Sequence, residues 1–408
     1  MSNKKSIILF TTSFPYGDGE QFLETEINYL CNAFETVFVF PLHKFDKIRS
    51  IPSNCKVVDL TVSFTVQNKI RKYFFTHFSI IFKILLKTIM TSVHRKKYVF
   101  GLKKYIIDLI LEIGMAEKYH ELLINYLAKT DLIYFYWFDK PVLQFSILKQ
   151  KRKINHKLVV RAHGYDYDKQ QGYFHKYREY EIAMVNKIFP VSNYGVNYFK
   201  NQYKSLAKNV DVSYLGTNFI ADNPTNYSNV IHIVSCSAFR SLKRVHLIVE
   251  ILKEIKEEVV WTHFGSGTLE KEVKLKAKEL PSNITVHFKG MVDNSEVLKY
   301  YTEQHVDFFI NVSEIEGVPV SIMEAISFGI PVIGCNVGGV SEIVNHKTGY
   351  LFNKDFNIKD VAEKIIEHHS KPFEQKIEFT KSVKSFWVEN FNARKNYIDF
   401  IDNKLKNL

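Results

Sequence analysis

Cysteine is scarce and scattered: Cys31, Cys55, Cys236 and Cys335 form no Cys-x-x-Cys pair, which excludes a disulfide framework or a zinc knuckle and points to a reducing compartment. Glycine and proline, 17 and 10 residues among 408, are too few for low-complexity tracts, and no internal repeat is visible, so solenoids and propellers drop out. No small-residue cleavage site follows the apolar start; Pro15-Tyr16-Gly17-Asp18-Gly19-Glu20 stands there instead, and a first strand is expected rather than a signal peptide. Acidic residues are missing between Asp59 and Asp108, where Lys69, Arg71, Lys72, Lys83, Lys87, Arg95, Lys96, Lys97, Lys103 and Lys104 all fall.

What is present is apolar and basic: 46% hydrophobic residues, 33 Phe, 23 Tyr and a net charge of +12. The length exceeds one hydrophobic core, so two domains are expected. The charge permits nucleic acid, an anionic membrane or a phosphorylated substrate. The basic run carries no RNA-binding or helix-turn-helix signature and the aromatics follow core periodicity, so no nucleic acid is expected. Within 69–104, Phe74, Phe78, Ile81, Phe82, Leu85 and Ile89 recur at helical spacing, opposite Lys72, Thr76, Ser79, Lys83 and Lys87. A transmembrane span needs about 20 mostly apolar residues, and Lys83 and Lys87 interrupt the candidate. The segment fits a helix lying on an anionic membrane or a core helix with a solvated basic face, because burial against lipid and against protein read alike.

Short apolar runs alternate with helical patterns, which implies parallel sheets covered by helices, an α/β chain. Strands are expected at Ile7–Phe10, Val37–Phe40, Leu132–Tyr136, Leu158–Arg161, Ile188–Val191 and Val212–Leu215, then at Val230–Ser235, Val259–Phe264, Ile284–Phe288, Phe308–Val312, Pro331–Gly334 and Tyr350–Phe352. The polar loop 221–229 between the two sets marks a boundary. Domains are expected at 1–220 and 221–386, with a terminal helix at 387–408.

The chemistry concentrates in Glu316-Gly317-Val318-Pro319-Val320-Ser321-Ile322-Met323-Glu324, directly after a buried strand. A helix opening near Pro319 aims unsatisfied amides at the C-terminal end of the sheet, where open α/β sheets bind ligands. Gly317 lets a ligand approach the backbone, and Glu324 is placed to accept two hydrogen bonds from a vicinal diol. One anion site flanked by two carboxylates suits a nucleotide sugar. The Gly338-Gly339 turn offers further amides to the same phosphates.

These residues resemble the Glu-x7-Glu signature of retaining glycosyltransferases of family 4, whose fold, GT-B, is a pair of facing doubly wound Rossmann-like domains with a C-terminal segment crossing back to the first. The resemblance runs from residue 7 to about 400. It implies that Glu316 contacts donor-sugar hydroxyls, that the amides around Gly317 and Val318 meet the sugar ring or diphosphate with Pro319 beside them in the donor site, and that Glu324 holds the ribose. Lys243 matches the lysine on the donor phosphates, while the family's arginine position is Ala238; Arg240 or Arg244 is the replacement cation. Gly265 matches the glycine turn, Met291 the segment beside the base, and His163 the cleft histidine, so Glu316, His163 and Lys243 form the implied catalytic set. The loop with Gly17 and Gly19 matches the family's loop between acceptor and diphosphate. Asp166-Tyr167-Asp168 mimics a metal-binding Asp-x-Asp, but no metal or other cofactor is expected.

The implied activity is retaining transfer of a hexose-type sugar from a nucleotide sugar to a saccharide or lipid-linked acceptor in cell-surface polysaccharide biosynthesis. A sugar-nucleotide epimerase of the same fold is the alternative. The expected location is cytoplasmic, peripheral on the inner membrane face.

Overall fold

A computed structural model of the protein describes residues 5–60, 70–91, 102–167 and 176–408. Contiguous runs such as Ser-Ile-Ile-Leu-Phe-Thr are buried along their whole length, as central parallel strands covered on both faces must be. The first sheet contains β1 (Ser6–Thr11), β2 (Val37–Pro41), β3 (Cys55–Val57), β4 (Thr130–Phe135), β5 (Lys157–Ala162) and β6 (Lys187–Pro190), in the order β3-β2-β1-β4-β5-β6. The second contains β7 (Ile231–Cys236), β8 (Val259–Phe264), β9 (Ile284–Gly290), β10 (Phe308–Asn311), β11 (Val332–Cys335) and β12 (Gly349–Phe352), in the order β12-β11-β10-β7-β8-β9. Every pairing is parallel. Strand order therefore reverses beside β1 and β4 in one sheet and beside β7 and β10 in the other, which sets a ligand crevice at those carboxyl ends.

The chain divides into two compact units, Met1–Ser213 with Tyr397–Leu408, and Tyr214–Asn396. The first division falls earlier than residue 220, because the polar loop expected to be a linker is stitched into the second unit. Asn223 donates from its amide to Phe328 O at 3.0 Å and from Nδ2 to Tyr301 O at 2.7 Å. The terminal segment also changes unit later than 387: Trp387 Nε1 donates to Thr217 Oγ1 at 2.9 Å inside the second unit. Only from Tyr397 does the chain belong to the first. There buried Phe400 lies 5.5 Å from the Tyr134 ring and 5.4 Å from Phe189, with the Arg161 guanidinium 4.2 Å over its ring.

Two expectations about elements need correction. Val212–Leu215 is not a strand: Asp211 and Ser213 donate to Ile188 O and Pro190 O at 3.0 and 2.9 Å, but the ladder stops there. The basic amphipathic segment is two helices, Ile70–Thr76 and Phe78–Thr91. The second buries Ile80, Ile81, Ile84, Leu85 and Thr88, whereas Phe78 and Phe82, read as part of the same apolar face, are 52% and 55% exposed. The remainder of 69–104 falls partly outside the described residues.

Candidate functional site

In the second unit the switch point is spanned by an ion pair. Lys243 closes a short 3-10 turn, Ser241–Lys243, after β7, and Glu316 stands in the loop after β10. Lys243 Nζ lies 2.6 Å from Glu316 Oε1, with the Glu316 side chain only 8% exposed. Asn311, the last residue of β10, donates to the same oxygen at 3.2 Å while its Oδ1 accepts the Ser313 amide at 3.1 Å. The Glu314 amide donates to Leu242 O at 2.7 Å, so the turn and the loop form one piece.

Pro319 caps the helix Val320–Ser327 rather than lying in its first turn. Its carbonyl accepts from Ile322 and Met323 at 3.1 and 3.3 Å, and helix geometry leaves the Val320 and Ser321 amides pointing out at the loop. Behind this loop the Gly338-Gly339 turn is packed so tightly that a Cβ at Gly338, whose φ is +54°, would fall 1.8 Å from Glu316 O. The Gly339 amide donates to Gly317 O at 2.8 Å, so that amide braces the loop instead of being free for phosphate. Gly265 is similarly bound, with a would-be Cβ 2.0 Å from Ser237 O. Met291 is 71% exposed in the loop after β9.

Glu324 lies inside the helix, half-buried, and burial pushes its carboxyl up to about 7 against the opposing hydrogen bond from Asn294 Nδ2 at 2.9 Å. Nearby burial also pushes the Cys236 thiol up to about 12. His263 is buried and uncharged, its basicity brought down to about 4 by desolvation, with Nδ1 2.8 Å from Ser235 Oγ and Nε2 3.1 Å from Ser237 O. The strand ends that carry the site are therefore rigidly satisfied.

Of the two candidate replacement cations, Arg244 is committed elsewhere. Its guanidinium donates to Val312 O at 2.7 Å, Lys354 O at 3.0 Å and Ser313 O at 3.4 Å, which locks the ends of β10 and β12 together. Arg240 is exposed; its amide donates to Ala238 O at 2.8 Å, and among the described residues its guanidinium makes no hydrogen bond or ion pair.

The first unit has its own constellation at the β1/β4 switch. The Gly17–Gly19 loop is knotted by Glu20, whose carboxylate accepts the amides of Thr12, Ser13 and Phe14 at 2.9, 2.7 and 2.6 Å and Trp137 Nε1 at 2.6 Å. His163 follows β5; its Nε2 is 2.9 Å from Tyr136 O, and its ring lies 4.5 Å from Trp137 and 5.2 Å from Phe22. Desolvation, then the Arg161 charge, holds its basicity well below the usual range. A neutral imidazole that donates from Nε2 to a carbonyl leaves Nδ1 as an acceptor. Asp166 serves the backbone: it accepts the amides of His163, Gly164 and Phe138 at 2.8, 3.1 and 3.0 Å. Asp168 lies outside the described residues, and among those described no group of three His, Cys, Asp or Glu could hold a metal ion.

The structure thus joins Lys243, Glu316, Gly317 and Glu324's helix in one loop cluster, and places His163, Gly17 and Gly19 in the other unit. Asn311, Asn294, Glu20 and Trp137 were not singled out from sequence. Glu20 was legible only as part of a glycine turn, and Asn294 only as a helix start.

Residues 218–385 match the family described as Glycosyl transferases group 1. The amylovoran biosynthesis glycosyltransferase AmsK of Erwinia amylovora is 21% identical over 222 residues, 50% of this chain and 53% of that protein. The N-acetyl-alpha-D-glucosaminyl L-malate synthase of Bacillus anthracis is 34% identical over 125 residues, 30% of this chain and 31% of that one. The match to AmsK spans about half of its length. Among solved structures, HepE of Anabaena in complex with UDP and glucose superposes with a TM-score of 0.68 at 15% identity, covering 99% of this chain and 100% of that one. The fold is accordingly that of the two-domain GT-B class.

Proposed function

We propose that this chain is a retaining glycosyltransferase of family 4 type, moving a hexose-type sugar from a nucleotide-sugar donor to a saccharide or lipid-linked acceptor in cell-surface polysaccharide biosynthesis. The observation that carries this reading is the Lys243–Glu316 pair across the β7/β10 switch point, beside a helix start and a raised carboxyl at Glu324. The relative from the amylovoran pathway and the UDP- and glucose-bound neighbour support sugar transfer over the epimerase alternative.

Breaking the bond from the anomeric carbon to phosphate builds oxocarbenium character on the sugar and negative charge on the leaving diphosphate. Lys243 and the Val320 and Ser321 amides are the groups that meet that charge. Glu316, tethered by Lys243 and Asn311, accepts hydrogen bonds from donor hydroxyls. His163, uncharged, serves as a hydrogen-bond acceptor through Nδ1 rather than as a proton donor. We assign no metal to the reaction, so chelator leaves turnover intact.

Removing one preorganised charge-stabilising group costs roughly 100- to 1,000-fold in kcat. Lys243→Ala and Glu316→Ala should each reach that loss while melting near the parent temperature. Normal turnover in both variants, measured with the nucleotide sugar that most raises the melting point, would sink the proposal.

A further inference from the structure

The helix Phe78–Thr91 turns its aliphatic stripe, Ile80, Ile81, Ile84 and Leu85, into the core and its aromatic stripe outward. Phe75, Phe78, Phe82 and Leu86 are 75%, 52%, 55% and 45% exposed. They form a continuous surface: the Phe74 ring lies 5.5 Å from both Phe75 and Phe78, and Phe78 stacks on Phe82 at 6.1 Å. Beside it opens a cavity of about 500 Å³ walled by Phe74, Phe75, Leu102, Lys103, Ile106 and Ile110. Solvent-facing aromatics at successive helical turns cost free energy in water, and such a patch marks an interaction surface.

The unpaired charge around this patch is positive. Lys83, Lys103 and Lys104 are exposed there, the sequence has no carboxylate between Asp59 and Asp108, and the acids that come near it from the next helix are paired, Asp108 with Lys176 and Glu117, 3.8 Å from His77, with Lys151. Apolar rings set among exposed cations, with the nearby acids already paired, match hydrocarbon lying under a sheet of negative headgroups. Among the described residues no helix is long and apolar enough to cross a membrane.

We propose that Phe75, Phe78, Phe82 and Leu86, with Lys83, Lys103 and Lys104, form a docking face for an anionic lipid bilayer, the rings entering the boundary between headgroups and acyl chains. Its purpose, bringing the chain to a lipid-linked acceptor, rests on the transferase reading; the docking itself does not. The test is flotation of the full chain with phosphatidylcholine vesicles, with and without phosphatidylglycerol, in the absence of any nucleotide sugar. Wild type floats with the anionic vesicles only, and less as salt rises. Phe78→Asp with Phe82→Asp weakens capture at least roughly tenfold, and Lys83→Glu weakens it by about tenfold, with unchanged melting because these side chains are exposed. A Phe82→Trp variant shifts to the blue and is quenched by brominated acyl chains.

Equal capture of variants and wild type overturns the proposal, as does failure of wild type to float. So does a wild-type dimer that Phe78→Asp with Phe82→Asp dissolves without any vesicle capture, which gives the stripe to a second copy. Flotation without sugar transfer sinks the transferase reading alone; transfer to a soluble acceptor without flotation sinks the docking face alone.

Discussion

Replacing Glu324 by Gln tests the second unit's site through its proton. Burial pushes this carboxyl from 4.5 up to about 7, which is worth about 3 kcal/mol between its two charge states. The native protein binds the proton more tightly than the unfolded chain does. That contribution is fully present below pH 4.5 and is lost as pH rises through about 7. Glu324→Gln carries no such titration, so it should gain on wild type as the solution becomes alkaline. At roughly 2–4 °C per kcal/mol for a domain of this size, the melting difference between variant and wild type should move by roughly 5–10 °C in the variant's favour from about pH 5 to about pH 8.5. Ligand binding runs the other way: a diol that donates two hydrogen bonds to Glu324 requires the ionised form. Nucleotide affinity in wild type should therefore fall by roughly twentyfold from about pH 7.5 to about pH 5.5, with proton release on binding, and be flat across this range in Glu324→Gln. Thermal melts and calorimetric titrations in two buffers of different ionisation enthalpy read both. Parallel melting curves together with a flat wild-type affinity would refute the assignment of Glu324 to a buried, ligand-facing carboxyl.

Gly338→Ala should reduce kcat over KM at least roughly tenfold, because a Cβ 1.8 Å from Glu316 O must push the Glu316–Gly317 loop off its position; unchanged steady-state kinetics would show that this brace is dispensable. Arg244→Ala should destabilise by about 2–3 kcal/mol, since it strips a charged donor from Val312 O and Lys354 O, and Arg244→Lys should restore only part of it for want of the planar fork; denaturant midpoints decide. Phe400→Ala should cost about 3–5 kcal/mol by opening a cavity beneath Tyr134 and Phe189, visible as a lower melting temperature. Glu20→Gln should slow turnover more than it raises donor KM, with partial rescue by Glu20→Asp, because three amides of the loop lose the anion that orders them; an equal loss of melting temperature in both variants would mark the residue as purely structural.

The parallel strands were legible because burial on both faces writes them as nearly unbroken apolar runs, and β1 and β2 are the clear cases. β3 was not, since Cys-Lys-Val is short and only partly buried. Val212–Leu215 misled because the pairing of this segment with β6 stops after Ser213. Glu316 and Glu324 stood out through the Gly-x-Pro context around a helix start, but their partners could not. Asn294 reaches Glu324 across 30 residues of chain and Trp137 reaches Glu20 across 117, and those separations are closed only by sheet order. The stripe of Phe78 and Phe82 was legible as apolar but not as outward-facing, because a helix with apolar residues on most of its circumference does not say which arc meets the core.

The sheet order also divides the labour. Each unit places a carboxylate across its switch point, Glu20 to Trp137 in one and Glu316 to Lys243 in the other. Glu20 consumes the consecutive amides of Thr12, Ser13 and Phe14, so the turn directly after β1 has already met its anion within the chain. Glu316 consumes a lysine and an asparagine amide but leaves the opening turn of the helix Val320–Ser327 unspent. The second unit's loop thus keeps helix-start amides for an anion beside the Lys243–Glu316 pair.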